Sequence, residues 1–500
     1  MSYLTAYKPH RIPAIWLFLL VLVAPLGLVW AGDQHDAKTT SSPPVEKKKE
    51  TKETPIFSFW DGRLVFDIEE RMRLEIRDHN RTFSGVHDIS DGAWLLNRFR
   101  LGLAFTPVPW VKLYGQTQDA REAFSDRPNI PGVNSAEGDD EWDLRQAYVA
   151  LGDLKKFPLL VTIGRQAITY GDGRLVADPK WGNFGRTFDA ARVRFEEPHF
   201  WVEGFFMRPV QIKRHEFNAS DAEDNFGGVY FSTDWVPPQT TDLYFFYRDK
   251  EDNQPDLSPT NTVDPQGSWN GPAARYFVIG TRVKSDPKRM EKMGLGGWDY
   301  SGEFVYENGD LWQSNRSSKR FDLSAFALAV STGYTFKSCL WTPRLGVEYD
   351  FASGDSNPND NNSESFQNLF PSNHDKYGLM DEFGWRNLHD FRFQVSAKPS
   401  KKVDLEFHYH AFWLADTHDF WFRNNGISTL RTTTPDGRDV RTVGADNFAG
   451  HEIDFIVAVE PIPHVKISTG YSHFFAGQYL ADTGASNDAD FGYVMTTFNF

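Results

Sequence analysis

Only one cysteine, Cys339, occurs in 500 residues, so no internal disulfide can form and the fold does not depend on oxidation. A lone cysteine in a strand-like run is expected to act as a small apolar filler rather than a nucleophile. Long apolar runs are also missing. Beyond Trp30 no segment approaches the length of a membrane helix, and a mean hydropathy of −0.50 excludes a stack of hydrophobic helices. There is no CxxC pair, no phosphate-binding glycine loop and no recognisable nucleophile motif. A net charge of −15 argues against nucleic acid as a partner.

Aromatic residues, in contrast, are plentiful at 15%, with 42 Phe, 18 Tyr and 16 Trp. Such richness suits the girdles that proteins place at membrane interfaces. The N-terminus resembles a secretory signal peptide. Lys8, His10 and Arg11 precede the apolar run Ile12–Trp30, and Val29-Trp30-Ala31 puts small residues where a cleavage site needs them. An uncleaved anchor helix is the alternative, but Pro13, Pro25 and Gly27 interrupt the run. Residues 1–31 are therefore expected to be removed, and residues 32–56, polar with Pro and Lys, to form a disordered leader.

From Phe57 onward the dominant pattern has period two. Leu64, Phe66, Ile68, Met72, Leu74 and Ile76 share one face; Arg63, Asp67, Glu69, Arg71, Arg73, Glu75 and Arg77 share the other. The same alternation recurs around Phe393, Phe407, Phe455 and Val347. It predicts an all-β chain of about eighteen strands over residues 57–500. Their connections alternate between short ones, such as 106–110, 152–158, 196–199, 398–403 and 460–465, and long polar ones, such as 120–141, 167–187, 249–273, 353–388 and 416–450. Short periplasmic turns alternating with long external loops is the rhythm of a transmembrane antiparallel β-barrel in an outer membrane. The final strand ends on Phe498 and Phe500, which resembles the address used for barrel insertion.

A soluble β-sandwich is the competing architecture. Here the apolar faces are nearly unbroken across every strand, and the opposite faces carry dense mixed charge. Dry burial of unpaired charge costs several kcal/mol per ion. The expectation is therefore a barrel with apolar residues such as Leu74, Phe393 and Phe407 on lipid and a water-filled lumen that hydrates the charge.

Three stretches carry a more specific resemblance. The first is Gly164-Arg165-Gln166, Tyr170-Gly171-Asp172-Gly173-Arg174, then Trp181, Asn183, Arg186, Phe188 and Asp189. The second is YDFASGDSNPND (349–360) with FQNLFPSNHDKYGLMDEFGWRNLHD (366–390), and the third GYSHFFAGQYL (470–480) with DADFGY (488–493). Together they resemble the alginate export family of outer-membrane barrels over roughly residues 57–500. The resemblance implies a monomer of eighteen strands that carries an anionic polysaccharide through an arginine-lined pore, with periplasmic secretion proteins as possible partners.

Parity places Arg71, Arg73, Arg98, Arg100, Lys112, Arg145, Arg192, Arg194, Arg248, Arg282, Arg344 and Arg392 inward, most of them in the first six strands. Inward anions, including Glu69, Glu75, Glu303, Glu307, Glu348, Asp350, Asp404, Glu406, Glu452 and Asp454, lie mostly in the last eight strands. Cross-lumen salt bridges would explain many of these; the functional reading is a transverse field that screens solutes. The lumen is thus more mixed than the family's pore. The turn EPIPHV is also short where the family's type member has a long plug. Gln166, Tyr170, Asp172, Arg174 and Trp181 are candidates for a loop folded into the lumen, Gly171 and Gly173 allowing it to turn tightly; an ordinary external loop is the alternative.

No cofactor is expected. Asp355, Asn357, Asn359 and Asp360 resemble a calcium loop only loosely, lacking the glycine and the bidentate glutamate of an EF-hand. His408 and His410 share a face with Asp404 and Glu406, where metal ligation is conceivable and a place on the lumen wall the simpler reading. The sequence thus predicts an outer-membrane channel, in contact with lipid, for export or diffusion of a hydrophilic, acidic polysaccharide or oligosaccharide. The alternatives are a general porin without substrate preference and, more remotely, a barrel enzyme.

Overall fold

A computed structural model describes residues 57–86, 91–125, 139–213, 216–251, 272–313 and 316–500. The expected signal peptide and leader, residues 1–56, lie outside the described residues.

Eighteen long strands follow one another in the sheet: β1 Leu64–Asp78, β2 Gly92–Val108, β3 Val111–Ala123, β4 Asp140–Leu151, β5 Leu159–Gln166, β6 Phe188–Glu197, β7 Phe200–Gln211, β8 Asp224–Thr233 and β9 Gln239–Lys250, then β10 Ala274–Ser285, β11 Trp298–Trp312, β12 Arg320–Thr335, β13 Arg344–Ala352, β14 Leu388–Ser400, β15 Val403–Trp413, β16 Phe448–Ile462, β17 Val465–Ala476 and β18 Ala489–Asn499. Each pairs antiparallel with its sequence neighbours. The ring closes between β1 and β18, with Glu69 opposite Asn499 and Asp78 opposite Asp490. Closure leaves no long edge, which is what a strand in lipid requires.

The alternation of the sequence becomes two surfaces. Ile163, Val193, Phe206, Leu243, Ile279, Phe304 and Phe455 are exposed on the outer surface, where lipid replaces water. Arg71, Arg98, Arg145, Glu203, Asp242, Arg282, Glu303, Glu348, Asp390 and Asp454 are buried on the inner one. Long and short connections alternate as the sequence predicts, but several turns are tighter. Pro109 and Trp110, Lys401 and Lys402, and Pro463 and His464 alone join their strands, because the backbone ladders run on through residues that read as turn. His464 takes the left-handed conformation (φ 69°) needed to reverse the chain in so short a connection. Cys339 departs from its expected place: β12 ends at Thr335, and the cysteine is exposed in the turn that follows.

The apolar core lies inside the barrel, toward the end with the long connections. Phe188, Phe226 and Phe246 of the wall join Phe370, Tyr377, Phe383 and Trp385 from the β13–β14 loop and Trp421 from the β15–β16 loop, all buried. Two short helices, α1 Pro287–Lys292 and α2 Gln478–Thr483, sit at opposite ends, α1 in a turn and α2 in the β17–β18 loop with Tyr479 and Leu480 buried.

Candidate functional site

Residues 167–187, between β5 and β6, fold into the lumen and are held there by arginines from the wall. Arg71 donates to the carbonyls of Lys180 (2.7 Å) and Gly182 (3.1 Å) and to Asn183 Oδ1 (3.2 Å). Arg73 reaches the Trp181 carbonyl (2.6 Å), Arg98 that of Gly182 (2.9 Å) and Arg100 that of Phe184 (3.2 Å). Arg145 pairs with Asp178 at 2.6 Å. A guanidinium offers five donors in a fixed fork, so a row of them can grip a stretch of backbone carbonyls. Gly171 (φ 56°) and Gly173 (φ 75°) supply the left-handed residues of the turn that sends the segment inward.

The five loop residues nominated from sequence all meet the wall. Gln166, at the end of β5, accepts from Arg192 (3.2 Å). Tyr170 donates to Glu203 (2.5 Å) and stacks on Tyr230 at 4.9 Å. Asp172 bridges Arg282 and Lys284, both at 2.8 Å. Arg174 contacts Glu348, Asp350 (3.1 Å) and the Tyr377 hydroxyl (2.7 Å). Trp181 lies under the Arg73 guanidinium (3.6 Å) and against the His374 ring (3.9 Å). Burial would raise the carboxyls of Asp172 and Asp178, but Arg282 with Lys284, and Arg145 with Arg100, hold both below their ordinary range. Burial likewise opposes the charge of Arg174, which Asp350, Tyr377 and Glu348 keep well above its ordinary value.

A second inward segment comes from the β13–β14 loop. Val176 and Phe370 form a parallel bridge that joins the two loops, with Ala177 N donating to the Phe370 carbonyl at 2.9 Å and Phe370 N to that of Leu175 at 2.7 Å. Arg186 ties them again through the carbonyls of Ala177 (3.1 Å) and Pro371 (2.9 Å). Arg392 donates to the Asp375 carbonyl (2.9 Å) and pairs with Glu348 (2.6 Å). Glu452 accepts from Met380 N (3.0 Å), and Glu382 pairs with Arg423 (2.7 Å) of the next loop.

These contacts correct one expectation. The inner charges near the long-loop end are not hydrated by an open lumen but buried beneath loops, which give the arginines more partners than the carboxylates. A water-filled interior needs loops that stay outside; here the loops carry their own apolar residues and must bury them. Toward the short-turn end the inner surface is more open. Arg192 and Arg194 are partly exposed, paired with Glu203 (2.9 Å) and Glu196 (3.2 Å). Arg344 pairs with Asp299 (2.6 Å), Asp404 with Lys398 (2.6 Å), and Glu406 faces His408 at 3.4 Å. Lys112 is exposed beside the Tyr114 ring, whereas Arg248 is buried against Asp224 (2.6 Å).

The weak calcium candidates build turns. Asp355 accepts from Asn357 N (3.1 Å) and Asn357 from Asn359 N (3.4 Å), the geometry that Asx residues adopt in any loop. Burial, together with nearby Asp419 and Glu364, pushes the Asp355 carboxyl up to about 6.

Several residues of the site have no role in the sequence reading: Lys180, exposed beside the loop apex, and Asp178, with Arg186, His374 and Tyr377, which appear there only within the family-like stretches. Only the apolar residues of the nominally polar 366–385 segment hint at them. Leu379, Met380, Phe383 and Trp385 would not all be exposed in a solvated loop.

The fold is shared with solved porins of Pseudomonas aeruginosa. OpdK with vanillate matches with a TM-score of 0.56 and 11% identity, covering 87% of this chain and 98% of that one. OccD3 (OpdP) matches at 0.55 and 11%, covering 87% and 91%. OpdQ matches at 0.53 and 11%, covering 87% and 97%. No curated protein sequence matches significantly. The family model for alginate export matches residues 63–494, which is nearly all of the barrel. The chain belongs to the alginate export family of outer-membrane β-barrels.

Proposed function

We propose that this channel passes hydrophilic, acidic saccharides of oligosaccharide size across the outer membrane. The observation that carries the reading is the charge surplus on the β1–β4 wall and its loop. Among the described residues, Arg71, Arg73, Arg98, Arg100 and Arg145 form ion pairs there only with the carboxylates Glu69, Glu75 and Asp178, with Lys180 as a further cation, while Asp67, Asp140 and Asp143 of the same wall are held by Tyr114, Gln116, Gln118 and Asn218. Arg71 pairs with no carboxylate among the described residues and spends its donors on carbonyls. Lys180 is exposed, so part of the surplus faces solvent, where Arg192 and Arg194 are partly exposed as well. Guanidinium and ammonium groups recognise carboxylates, and weak successive sites let a solute move on. The inward loops favour short chains over a bulky polymer.

A general porin is the second reading, because most inner arginines are already engaged by loop carbonyls and carboxylates. Liposome flux separates the two. Acidic oligosaccharides should enter faster than neutral ones of equal size; equal rates would leave a general porin. The alginate export family is one of channels, and the proposal includes no enzymatic step. It also includes action as a monomer, with any periplasmic secretion partners docking at the short-turn end. Cleavage after Ala31 completes the reading, and N-terminal sequencing of the mature protein checks it: a start at Met1 would reject cleavage.

A further inference from the structure

On β14, β15 and β16, three carboxylates and one imidazole gather in a place closed to solvent. Asp390, Glu452 and Asp454 are fully buried, and His410 is 1% exposed. His410 Nδ1 lies 2.9 Å from Asp390 Oδ2, and its Nε2 lies 3.8 Å from Asp454 Oδ2. Asp454 Oδ1 accepts from Ser472 Oγ at 2.5 Å, while Oδ2 has no hydrogen-bond partner among the described residues, and neither has Glu452 Oε2. His408 stands directly across from Asp454 in the strand register, and His410 across from Glu452. One ligand atom from each of His408, His410 and Asp454 lies within 4.8 Å of the others.

We propose that His408, His410 and Asp454 bind a divalent transition ion, zinc in the first instance. Two imidazoles and one carboxylate form a donor set that suits zinc better than calcium or magnesium. Asp390 supplies the outer partner that such a histidine uses: it fixes the Nδ1 proton and leaves Nε2 to the metal. The ion would answer the orphaned Asp454 Oδ2, since buried carboxylates without a cation are costly. Ligands sit at about 2.0–2.2 Å from zinc, so small side-chain rotations must draw the three groups together. His408, partly exposed, gives the ion its way in from the lumen, and Glu406 lies 3.4 Å from His408 Nε2 on the same side.

The test uses the folded full-length barrel in detergent, stripped with a chelator and titrated with Zn²⁺ by calorimetry and with Co²⁺ by optical absorption. The expected result is one saturable equivalent of Zn²⁺ that disappears in His408→Ala. Asp390→Asn should retain that site with affinity lowered about 10–100-fold, the usual effect of losing an outer-shell partner. His408 is partly exposed, so its replacement should leave the barrel folded; the isosteric Asp454→Asn is the second loss-of-site variant, and heat-dependent gel mobility verifies folding of each. Absence of a saturable site in the wild type, or the same site in His408→Ala, would overturn the proposal and leave a cluster that shares protons instead.

Discussion

On β1–β4, Arg71, Arg73, Arg98, Arg100 and Arg145 outnumber the carboxylates Glu69, Glu75 and Asp178 that pair with them; on β11–β16, Glu303, Glu307, Glu348, Asp350, Asp390, Glu452 and Asp454 outnumber the cations Arg174 and Arg392 that pair with them. The two walls dispose of their surpluses differently. A guanidinium can spend its donors on the carbonyls of an inward loop, and the segment 178–184 supplies them. A carboxylate only accepts and must find N–H groups or cations. The loops give it few: Met380 N for Glu452 and Gln367 N for Glu307. Among the described residues, oxygens of Glu303, Glu307, Asp350, Glu452 and Asp454 are left without hydrogen bonds. Asp350 lies 3.1 Å from Arg174 without the geometry of a hydrogen bond. Surplus positive charge thus orders a loop, whereas surplus negative charge stays short of partners.

The largest effect is expected at Arg174. Arg174→Met should cost about 3–5 kcal/mol, because it leaves Glu348 and Asp350 buried with one cation fewer. Arg71→Met should cost less, about 1.5–3 kcal/mol, since only carbonyls and one amide lose a donor. Unfolding followed by heat-dependent gel mobility measures both; equal costs would mean that the walls do not differ in this way.

Next in size is the outer surface, where the two walls should be alike. Phe393→Arg on the acidic side and Leu74→Arg on the basic side should each cost about 2–4 kcal/mol near the midplane. A large difference between them would place one of these residues away from lipid.

The strands were legible in the sequence because lipid and lumen impose opposite demands on alternate residues. Ile68, Val347, Phe393, Phe407 and Phe455 each fall in the strand that periodicity assigns to them. The inward loops were not legible in the same way. Carbonyls that bind Arg71 and Arg98 belong to the backbone and leave no mark on side-chain identity. Gly171 and Gly173 showed where the chain turns, but not toward which side. The pairing of Arg174 with Glu348 joins residues 174 positions apart, and parity within strands cannot reach a loop.

A smaller effect should appear at Glu307. It is fully buried, with one oxygen unpartnered, so Glu307→Gln should be neutral or stabilising by about 1 kcal/mol in the same unfolding assay. A loss of stability would show that a neighbouring cation balances this carboxylate.

The smallest effect concerns pH at the rim of the acidic side. The Asp355 carboxyl is raised from its ordinary value to about 6. A carboxyl raised on folding adds stability that is fully present below its ordinary value of 3.8 and is lost as pH climbs through about 6. Backbone hydrogen exchange around 355–364 should therefore be better protected at pH 5 than at pH 7.5 once intrinsic rates are removed. Asp355→Asn should abolish the difference, and a difference that persists would assign it to another group.

The ion selectivity of the purified pore in a planar bilayer, read as the reversal potential across a KCl gradient, shows which wall governs passage. A channel governed by the basic wall should prefer anions, and the preference should fall when Lys180, Arg192 and Arg194 are replaced by glutamine. A cation-selective wild-type pore would contradict the account, because the acidic wall would then govern what passes.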